Sequence, residues 1–281
     1  MSDSSDRSDH QIQPGRSDSW KSADAYEYYM GRWSRLAARV FLESLTPAHG
    51  LDWLDVGCGS GALCEVILNK GNPAKIFAVD QSETFVKGTH DRLKGRAQCL
   101  VGDALSLPVA SDSVHYTVSG LVLNYIADPV RSLIEMKRVT RSGGDVAVYV
   151  WDYTERMELV TKFWDVAVAI DPTAMSQHQS YRFRDWTAAY LPVLFGQAGL
   201  TNIESFPVDI PMHFRNFDDY WRPFLGGQGP APTYLMSVDE SVRKKIHDRL
   251  AETLPIQQDG SIHLRARAWA ARGRVLKEAS G

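Results

Sequence analysis

Residues 54–61 read LDVGCGSG, and this stretch indicates an α/β fold before any other feature of the chain. An apolar run ends at Asp55, and three glycines follow at alternate positions, Gly57, Gly59 and Gly61. A buried strand, a glycine turn and then a helix are typical of parallel sheets that bind a ligand at the turn. Such turns usually hold phosphates, but a carboxylate beside a phosphate costs electrostatic energy. The presence of Asp55 therefore helps to decide whether the turn binds a phosphate or another ligand.

The sequence on both sides of this turn alternates between strand and helix patterns. The predicted strands are 51–57, 75–80, 97–103, 114–120 and 145–152, and the predicted helices between them are 62–71, 82–95 and 129–140. This alternation predicts a parallel sheet with right-handed crossovers. Residues 142–144, SGG, predict a turn before the last of these strands.

Further elements are predicted outside this core. One or two helices precede the first strand and end before Pro47 and Gly50. Downstream, the predicted helices are 157–170, 185–198 and 238–254, and the predicted strands are 201–214 and 261–273. Neither an internal repeat nor a long linker divides the chain, so these elements are expected to belong to one domain.

The composition places the chain in a broad class. Its 281 residues are 44% hydrophobic and carry a formal net charge of -3, which predicts a globular protein without general attraction to nucleic acid. Three cysteines, an odd number without metal-ligand spacing, favour a reducing, cytoplasmic location. No apolar run is long enough for a membrane span, and no signal peptide is visible. Residues 1–19, rich in Ser and Asp, predict a disordered tail.

Acids also follow the second and third predicted strands, at Asp80 and Asp103. Because the carboxyl ends of parallel strands meet at one edge of a sheet, we expect the three acids to converge on one ligand. Asp80 suits the hydroxyls of a ribose, Asp103 suits the exocyclic amine of an adenine, and Asp55 suits a positive charge. S-adenosylmethionine carries a ribose, an adenine, an ammonium and a sulfonium, so these residues favour it as the ligand.

Three alternatives stay open on the residues alone. Gly57-x-Gly59-x-x-Ala62 also satisfies the dinucleotide fingerprint, which indicates an NAD(P)-dependent oxidoreductase, although no Tyr-x-x-x-Lys or comparable hydride-transfer set is present. The glycines by themselves are also compatible with a tight turn and no ligand. The third alternative is a non-catalytic protein that binds S-adenosylmethionine without turnover.

From about Trp53 to Asp152 the chain resembles the class I S-adenosylmethionine-dependent methyltransferases, most closely the small-molecule enzymes of the ubiquinone/menaquinone-biosynthesis type. The motifs that carry the resemblance are LDVGCGSG, the acid of FAVD, GDALSLP, SGLVLNYIADP and EMKRVTRSGGDVAVYV, in which Ser142 stands where the family turn has proline. The resemblance implies a Rossmann-like, seven-stranded, mostly parallel sheet with helices on both faces and an antiparallel last strand. The strands at 201–214 and 261–273 would complete it.

The resemblance also implies the cofactor, S-adenosylmethionine, and its contacts. The contacts carried over are Gly57, Gly59, Asp80, Asp103, Ala104 and Ser119, with Gln81 as a neighbour of the adenine; Asp55 and Cys58 join them from the same loop. N-terminal helices often fold over the cofactor in this superfamily. Tyr29 and Arg32 are therefore expected to close the site, with Arg32 near the methionine carboxylate, whereas the alternative is that Tyr29 and Trp33 pack the helix on the core.

The methyl acceptor is less well specified. Asn124 and Tyr125, just after the fourth strand, face the transferred methyl group if the family alignment holds, and their role is open. His178, His213 and Asp218 are candidate bases for an oxygen or carbon acceptor. Asn124 and Tyr125 rank above the histidines because of their proximity to the methyl position, and His178 is the third candidate catalytic residue. The segment 217–235, rich in aromatic residues, predicts either an acceptor pocket with a mobile glycine lid or a packed loop.

These predictions combine into one reading of the chain. Residues 20–281 are expected to form a single methyltransferase domain, with a helical cap at 20–50, the cofactor-binding core at 51–152 and acceptor-side insertions with the final strands at 153–281. No [DNS]-P-P-[YF] tetrapeptide follows the fourth strand, which argues against amino-methylation of nucleic-acid bases. We expect a small apolar or aromatic acceptor, with O-, C- and N-methylation open, no metal, and a monomer or homodimer.

Overall fold

The computed structural model describes residues 27–227 and 229–277, so the predicted tail at 1–19 lies outside the described residues. Seven strands form one sheet in the order β3-β2-β1-β4-β5-β7-β6. They are β1 Asp52–Val56, β2 Lys75–Asp80, β3 Gln98–Val101, β4 Val114–Gly120, β5 Thr140–Trp151, β6 Thr201–Phe214 and β7 Ile262–Arg274. β7 pairs antiparallel with β5 and β6, and the pairs among β1–β5 are parallel. The predicted mixed sheet with an antiparallel last strand is confirmed.

Helices cover both faces of this sheet. They are α1 Arg32–Leu45, α2 Ala62–Val66, α3 Glu83–Leu93, α4 Pro129–Val139, α5 Glu158–Ile170, α6 Gln179–Arg182, α7 Tyr190–Gln197, α8 Phe217–Trp221, α9 Pro230–Ser237 and α10 Glu240–Thr253. Short π-helical turns at Glu27–Gly31 and Ile67–Gly71 precede α1 and follow α2, and 3-10 turns occupy Leu123–Tyr125, Pro172–Gln177 and Arg222–Gly226. Among the described residues, no helix is long and apolar enough to cross a membrane.

Alternation along the strands builds a core on each face. On β1, Trp53 belongs to the core that includes α1 and α5, whereas its neighbour Leu54 belongs to the core that includes α4 and α7. Ala147 and Val148 of β5 divide in the same way. Because successive side chains of a strand point to opposite faces, a central strand covered on both faces must be apolar throughout. This is why β1, after its first residue Asp52, is apolar except at Asp55.

Three predicted segments differ from the structure. The helix predicted at 185–198 begins at Tyr190, which places Pro192 in the first turn, where its missing N–H costs no hydrogen bond. The turn predicted at 142–144 lies inside β5, where the backbone is so close to β4 that a Cβ on Gly144 would lie 2.4 Å from the His115 carbonyl oxygen. The segment 217–235 is largely helical, and it buries Tyr220, Phe224 and Tyr234 rather than forming a loop lid.

The loop between β3 and β4 is fastened to α4. The Arg138 guanidinium donates to the carbonyl oxygens of Leu107 and Val109 at 3.0 Å each and pairs with Glu135 at 2.8 Å. Glu135 in turn accepts from the Leu107 backbone N–H at 3.0 Å. These contacts satisfy backbone groups that neither strand can reach, and they hold the loop that begins at Asp103 against the sheet.

Candidate functional site

The glycine loop, residues 57–61, joins the carboxyl end of β1 to α2. Gly57, Gly59 and Gly61 all have positive φ, at 74°, 51° and 83°, a region that favours glycine. The N–H groups of Gly57 and Cys58 donate to the Val79 carbonyl oxygen at 2.7 and 3.0 Å, which fixes the loop to the end of β2. A Cβ on Gly59 would have no atom within 4 Å. The loop therefore presents an open backbone surface at this edge of the sheet.

Asp80 is fixed against the loop at the end of β2. Its two carboxylate oxygens accept from the backbone N–H groups of Gly59 at 3.0 Å and Ser82 at 2.9 Å. Burial raises the pKa of Asp80, and these two hydrogen bonds oppose that shift. The carboxylate keeps further acceptor capacity, because each of its oxygens has two lone pairs. It can thus receive ligand hydroxyls at the point where the loop backbone is open.

Asp55 lies beneath the loop rather than on its open side. The side chain is 1% exposed, and its Oδ2 accepts from the Cys64 thiol of α2 at 3.1 Å. Burial raises the pKa of Asp55 to about 7; the hydrogen bonds from Cys64 oppose this shift and the nearby Asp80 carboxylate adds to it. Asp55 therefore presents no exposed carboxylate on the open side of the loop.

The remaining predicted cofactor residues lie around the same edge with different side-chain roles. Asp103 is exposed and uses Oδ1 to accept from the Leu105 N–H at 2.9 Å, which orders the turn that includes Ala104. Gln81 is exposed at the start of α3. Ser119 is buried, and its hydroxyl donates to the Val56 carbonyl oxygen at 2.8 Å. Its side chain therefore ties β4 to β1, and only its backbone remains for a ligand.

The N-terminal segment reaches the glycine loop through Glu27, a contact that no sequence motif indicated. Ser60 of the loop donates its hydroxyl to Glu27 Oε1 at 2.5 Å, and Arg92 of α3 lies 3.1 Å from the same oxygen. Arg35 of α1 pairs with Oε2 at 2.5 Å. Burial would raise the pKa of Glu27, but the Ser60 and Arg35 hydrogen bonds and the two arginine charges hold it below its usual value. Glu27 thus joins three elements at the loop.

Arg32 lies elsewhere than expected. Its guanidinium pairs with Asp219 of α8 at 3.1 Å and stacks on the rings of Trp33 and Phe214, at 4.2 and 4.8 Å from their centroids. The described residues give Arg32 no hydrogen bond to the glycine loop. Since Asp219 neutralises its charge, the expectation that Arg32 holds a methionine carboxylate is not supported. Arg35 and Arg92 are the arginines beside the loop.

Three tyrosines, Tyr29, Tyr125 and Tyr153, form what we call the tyrosine group. The hydroxyls of Tyr125, after β4, and Tyr153, after β5, lie 3.2 Å apart. Phe183 packs on both of their rings, with centroid distances of 5.2 Å. Tyr29 is 5% exposed, and burial, with Tyr153 nearby, raises its pKa well above the usual value. Tyr153 and Phe183 were missed by the sequence analysis, because nothing in their local sequence distinguishes them from core aromatics.

Asn124 precedes Tyr125 in the 3-10 turn that follows β4. It is 9% exposed, and its Oδ1 has no hydrogen-bond partner among the described residues. The turn lies beside the glycine loop, because a Cβ on Gly57 would be 2.7 Å from both γ carbons of Val122. A buried amide oxygen without a partner is an unusual cost in a folded protein and points to a ligand group.

The three candidate bases have other roles. His178 is buried, and its Nδ1 accepts from the N–H and hydroxyl of Ser180 at 3.0 and 2.7 Å, so that it caps α6. Burial lowers its pKa, which keeps the ring neutral. His213 packs on His263, with ring centroids 4.7 Å apart, and Asp218 pairs with Arg222 at 2.8 Å. None of these contacts joins a histidine or Asp218 to the glycine loop or the tyrosine group.

Comparison with known proteins agrees with this geometry. Residues 54–148 match the family model of a methyltransferase domain. A demethylmenaquinone methyltransferase of Geobacillus stearothermophilus is 33% identical over 99 residues, which are 32% of this chain and 41% of that protein. A chloroplastic 2-phytyl-1,4-beta-naphthoquinone methyltransferase of Arabidopsis thaliana is 30% identical over 132 residues, 43% of this chain and 50% of that protein. The chain thus spans half or less of the length of these curated relatives.

The fold is shared with solved structures at low sequence identity. The crystal structure of a Bacillus halodurans C-125 protein described as a methyltransferase aligns with a TM-score of 0.56 at 16% identity, and the alignment covers 86% of this chain and 99% of that one. At this identity the likeness shows the fold alone. It extends beyond the matched domain, into the segments on either side of it.

Proposed function

From the premise that this chain carries a class I S-adenosylmethionine-dependent methyltransferase domain, we propose that it transfers the methyl group of S-adenosylmethionine to a small-molecule acceptor bound at the tyrosine group. The observation that carries the proposal is Asp80, whose carboxylate is fixed by the Gly59 N–H at the open side of the glycine loop. The match to the curated relatives covers less than half of this chain, so both the activity of the whole chain and its acceptor class are part of the proposal.

The residues present fit S-adenosylmethionine. Asp80 offers carboxylate oxygens to ribose hydroxyls, and the open backbone at Gly59 leaves room for an uncharged sugar. Asp55, when it is ionised above about pH 7, adds negative potential under a loop that would receive an ammonium and a sulfonium. A dinucleotide would instead place a pyrophosphate against two acids, the buried Asp55 and the partly buried Asp80. This geometry and the domain match together favour the methyltransferase over the oxidoreductase alternative.

The further cofactor contacts are proposed on the same edge. Asp103 and Ala104 would border the adenine together with Gln81, and the backbones of Cys58 and Ser119 would line the cofactor without their side chains. Tyr29 would border the site from the N-terminal segment that Glu27 fastens to the loop. The bound sulfonium supplies an already activated methyl group. The chain's own task is then to hold the acceptor in line with it, which by itself can lower a barrier by about 7–11 kcal/mol.

The first test is calorimetric titration of the protein with S-adenosylmethionine, S-adenosylhomocysteine and NADH. We expect binding of the two sulfur compounds and none of NADH. In Asp80→Asn the charge-assisted hydrogen bonds to the ribose are lost while side-chain volume is kept, so S-adenosylhomocysteine should bind about 10- to 100-fold more weakly.

Asp259→Asn is the matched control. Asp259 is exposed and accepts from the Ser261 N–H at 3.0 Å, two residues onward, as Asp80 accepts from Ser82. The Asp259→Asn variant should bind S-adenosylhomocysteine with wild-type affinity. Equal loss in both variants, or none in Asp80→Asn, would refute the assignment of the cofactor site. Cofactor binding without methyl transfer to any compound of a broad acceptor panel would favour the non-catalytic alternative.

A further inference from the structure

Two buried polar atoms without partners belong to Tyr29, a member of the tyrosine group, and to Asn124, which precedes another member, Tyr125. Among the described residues, six buried side-chain nitrogen or oxygen atoms lack a hydrogen-bond partner, and Tyr29 Oη and Asn124 Oδ1 are two of them. Both side chains are more than nine-tenths buried, at 5% and 9% exposed. Burying such an atom without a partner is costly, and a ligand that supplies the missing hydrogen-bond partner removes that cost.

The contacts around these two atoms connect them to the glycine loop. Asn124 belongs to the turn that begins beside Val122, whose side chain lies against Gly57. The next residue, Tyr125, reaches the Tyr153 hydroxyl at 3.2 Å. Tyr29 neighbours Tyr153 and lies two residues after Glu27, which contacts Ser60 of the loop. The two unpartnered oxygens therefore belong to the edge where the methyl group would be presented, as proposed above.

We propose that the methyl acceptor is a neutral amine on an apolar or aromatic body, and that it donates an N–H to the Asn124 amide oxygen. An amide oxygen only accepts hydrogen bonds, so its partner must bring the hydrogen. This inference rests on the proposed function. It deepens that function by naming the acceptor class and a positioning residue, Asn124, that aims the nitrogen lone pair.

The choice of nitrogen follows from the titratable groups at this edge. An alcohol or phenol must lose its proton before or during attack, which needs a base near neutral pH. Glu27 is paired with Arg35 and Arg92, and the Tyr29 hydroxyl stays protonated because its pKa is raised. Asp55 is sealed under the loop against Cys64. In the part of the chain described by the structure, no contact brings a histidine to the tyrosine group.

A neutral amine needs no such base. Its nitrogen lone pair bonds to the methyl carbon while the carbon–sulfur bond breaks and leaves its electron pair on sulfur. The positive charge moves from the sulfonium to the methylated nitrogen, which then loses one proton to solvent. Tyr125, Tyr153 and Phe183 form an aromatic cluster, and aromatic rings attract a cation that lies over a ring face.

The test uses the full chain saturated with S-adenosylhomocysteine and a panel of primary amines, each matched with the alcohol of the same carbon body. The pairs are benzylamine and benzyl alcohol, 2-phenylethylamine and 2-phenylethanol, and hexylamine and hexanol. We expect calorimetric binding of at least one amine, at least tenfold tighter than its alcohol at a pH where the amine is partly neutral. The methyl group of S-adenosylmethionine should appear on that amine and not on its alcohol.

Asn124→Leu separates the proposed role from a structural one. Leucine keeps the volume and removes the unpartnered oxygen, so the free protein should melt at the same or a higher temperature while amine binding falls at least tenfold. Asn124→Asp, which keeps an acceptor oxygen, should retain amine binding. Tyr29→Phe should behave as Asn124→Leu does. In both Asn124 variants the affinity for S-adenosylhomocysteine should stay that of the wild type.

Several outcomes would overturn the inference. They are equal binding of amine and alcohol, no amine bound to the cofactor-saturated protein, loss of cofactor binding in Asn124→Leu, or a lower melting temperature with amine binding intact. A pH profile of kcat/KM that stays the same for amines of different basicity would also refute it, because it would reveal a base on the protein. Absence of cofactor binding by the wild type would instead refute the proposed function itself.

Discussion

Asp55 is a carboxyl group enclosed below the glycine loop, where the Cys64 thiol donates to it at 3.1 Å. Because burial raises its pKa from 3.8 to about 7, the folded protein binds a proton in the interval where the unfolded chain has released it. Folding stability therefore falls as pH rises from about 4 to about 7 and is independent of this group above that interval. At about 1.36 kcal/mol per pH unit the loss amounts to a few kcal/mol.

Asp55→Asn should remove this dependence, since the amide is neutral at every pH. We expect the free energy of unfolding of the variant, relative to wild type, to increase by a few kcal/mol between pH 5 and pH 8, measured by urea denaturation. The difference between the two proteins isolates Asp55 from Asp80, whose pKa is also raised by burial. A difference that does not change with pH would show that Asp55 is ionised throughout.

At the scale of elements, two glycines of the glycine loop have the same backbone conformation but different surroundings. Gly57 and Gly59 both adopt positive φ, so alanine at either position meets a similar backbone cost of about 1–2 kcal/mol. Their surroundings differ, because a Cβ on Gly57 would lie 2.7 Å from the Val122 side chain, whereas a Cβ on Gly59 would enter open space. Gly57 thus serves the packing of the loop on the turn after β4, whereas Gly59 leaves open the surface at which we propose that the cofactor binds.

The two alanine variants should therefore have opposite profiles. Gly57→Ala should lose about 1–3 kcal/mol more stability than Gly59→Ala, because Val122 must move. Gly59→Ala should lose more affinity for S-adenosylhomocysteine, because its methyl group stands where the ligand approaches. Thermal unfolding and calorimetric titration of both variants give the comparison. Indistinguishable melting temperatures would mean that Val122 yields at little cost.

At the scale of the whole molecule, Glu27 connects the N-terminal segment, the glycine loop and α3. Its carboxylate holds Ser60, Arg35 and Arg92 and is 16% exposed, whereas the two arginines are 36% and 30% exposed. Solvent near the arginines screens the ion pairs, so we assign the cluster about 1–2 kcal/mol. It is the contact by which the cap is fastened over the cofactor-binding edge.

Glu27→Gln should loosen that fastening without unfolding the sheet. We expect a loss of about 1–2 kcal/mol at low salt, a smaller loss at high salt, and faster amide exchange in the turn Glu27–Gly31 and in the glycine loop. Glu43→Gln is the control, because Glu43 pairs with Lys70 while 56% exposed, and should cost less than about 0.5 kcal/mol. Equal effects of the two substitutions would show that Glu27 is an ordinary surface ion pair.

Prediction from the sequence was most successful where structure is local. The strands at Lys75–Asp80, Val114–Gly120 and Thr201–Phe214 have the predicted bounds, because period-2 patterns and glycine turns report which faces are buried. The segment 217–235 was misjudged because its glycines and prolines suggested a loop, while burial of its aromatic rings favours helices. A second helix boundary also differs from the prediction. Helix α7 begins at Tyr190, with Pro192 in its first turn, rather than at residue 185.

The sequence by itself determined the parallel sheet, its order of strands and helices, and the edge at which Asp80 and the glycine loop meet. These follow from hydrophobic period and from the rule that the carboxyl ends of parallel strands converge. Only the tertiary structure decided that Arg32 pairs with Asp219, 187 residues away, and that Ser60 meets Glu27. Only it showed that Tyr125 meets Tyr153. The physical reason is that a side chain's partner depends on which elements pack together in space. Local sequence patterns do not specify which distant elements pack together.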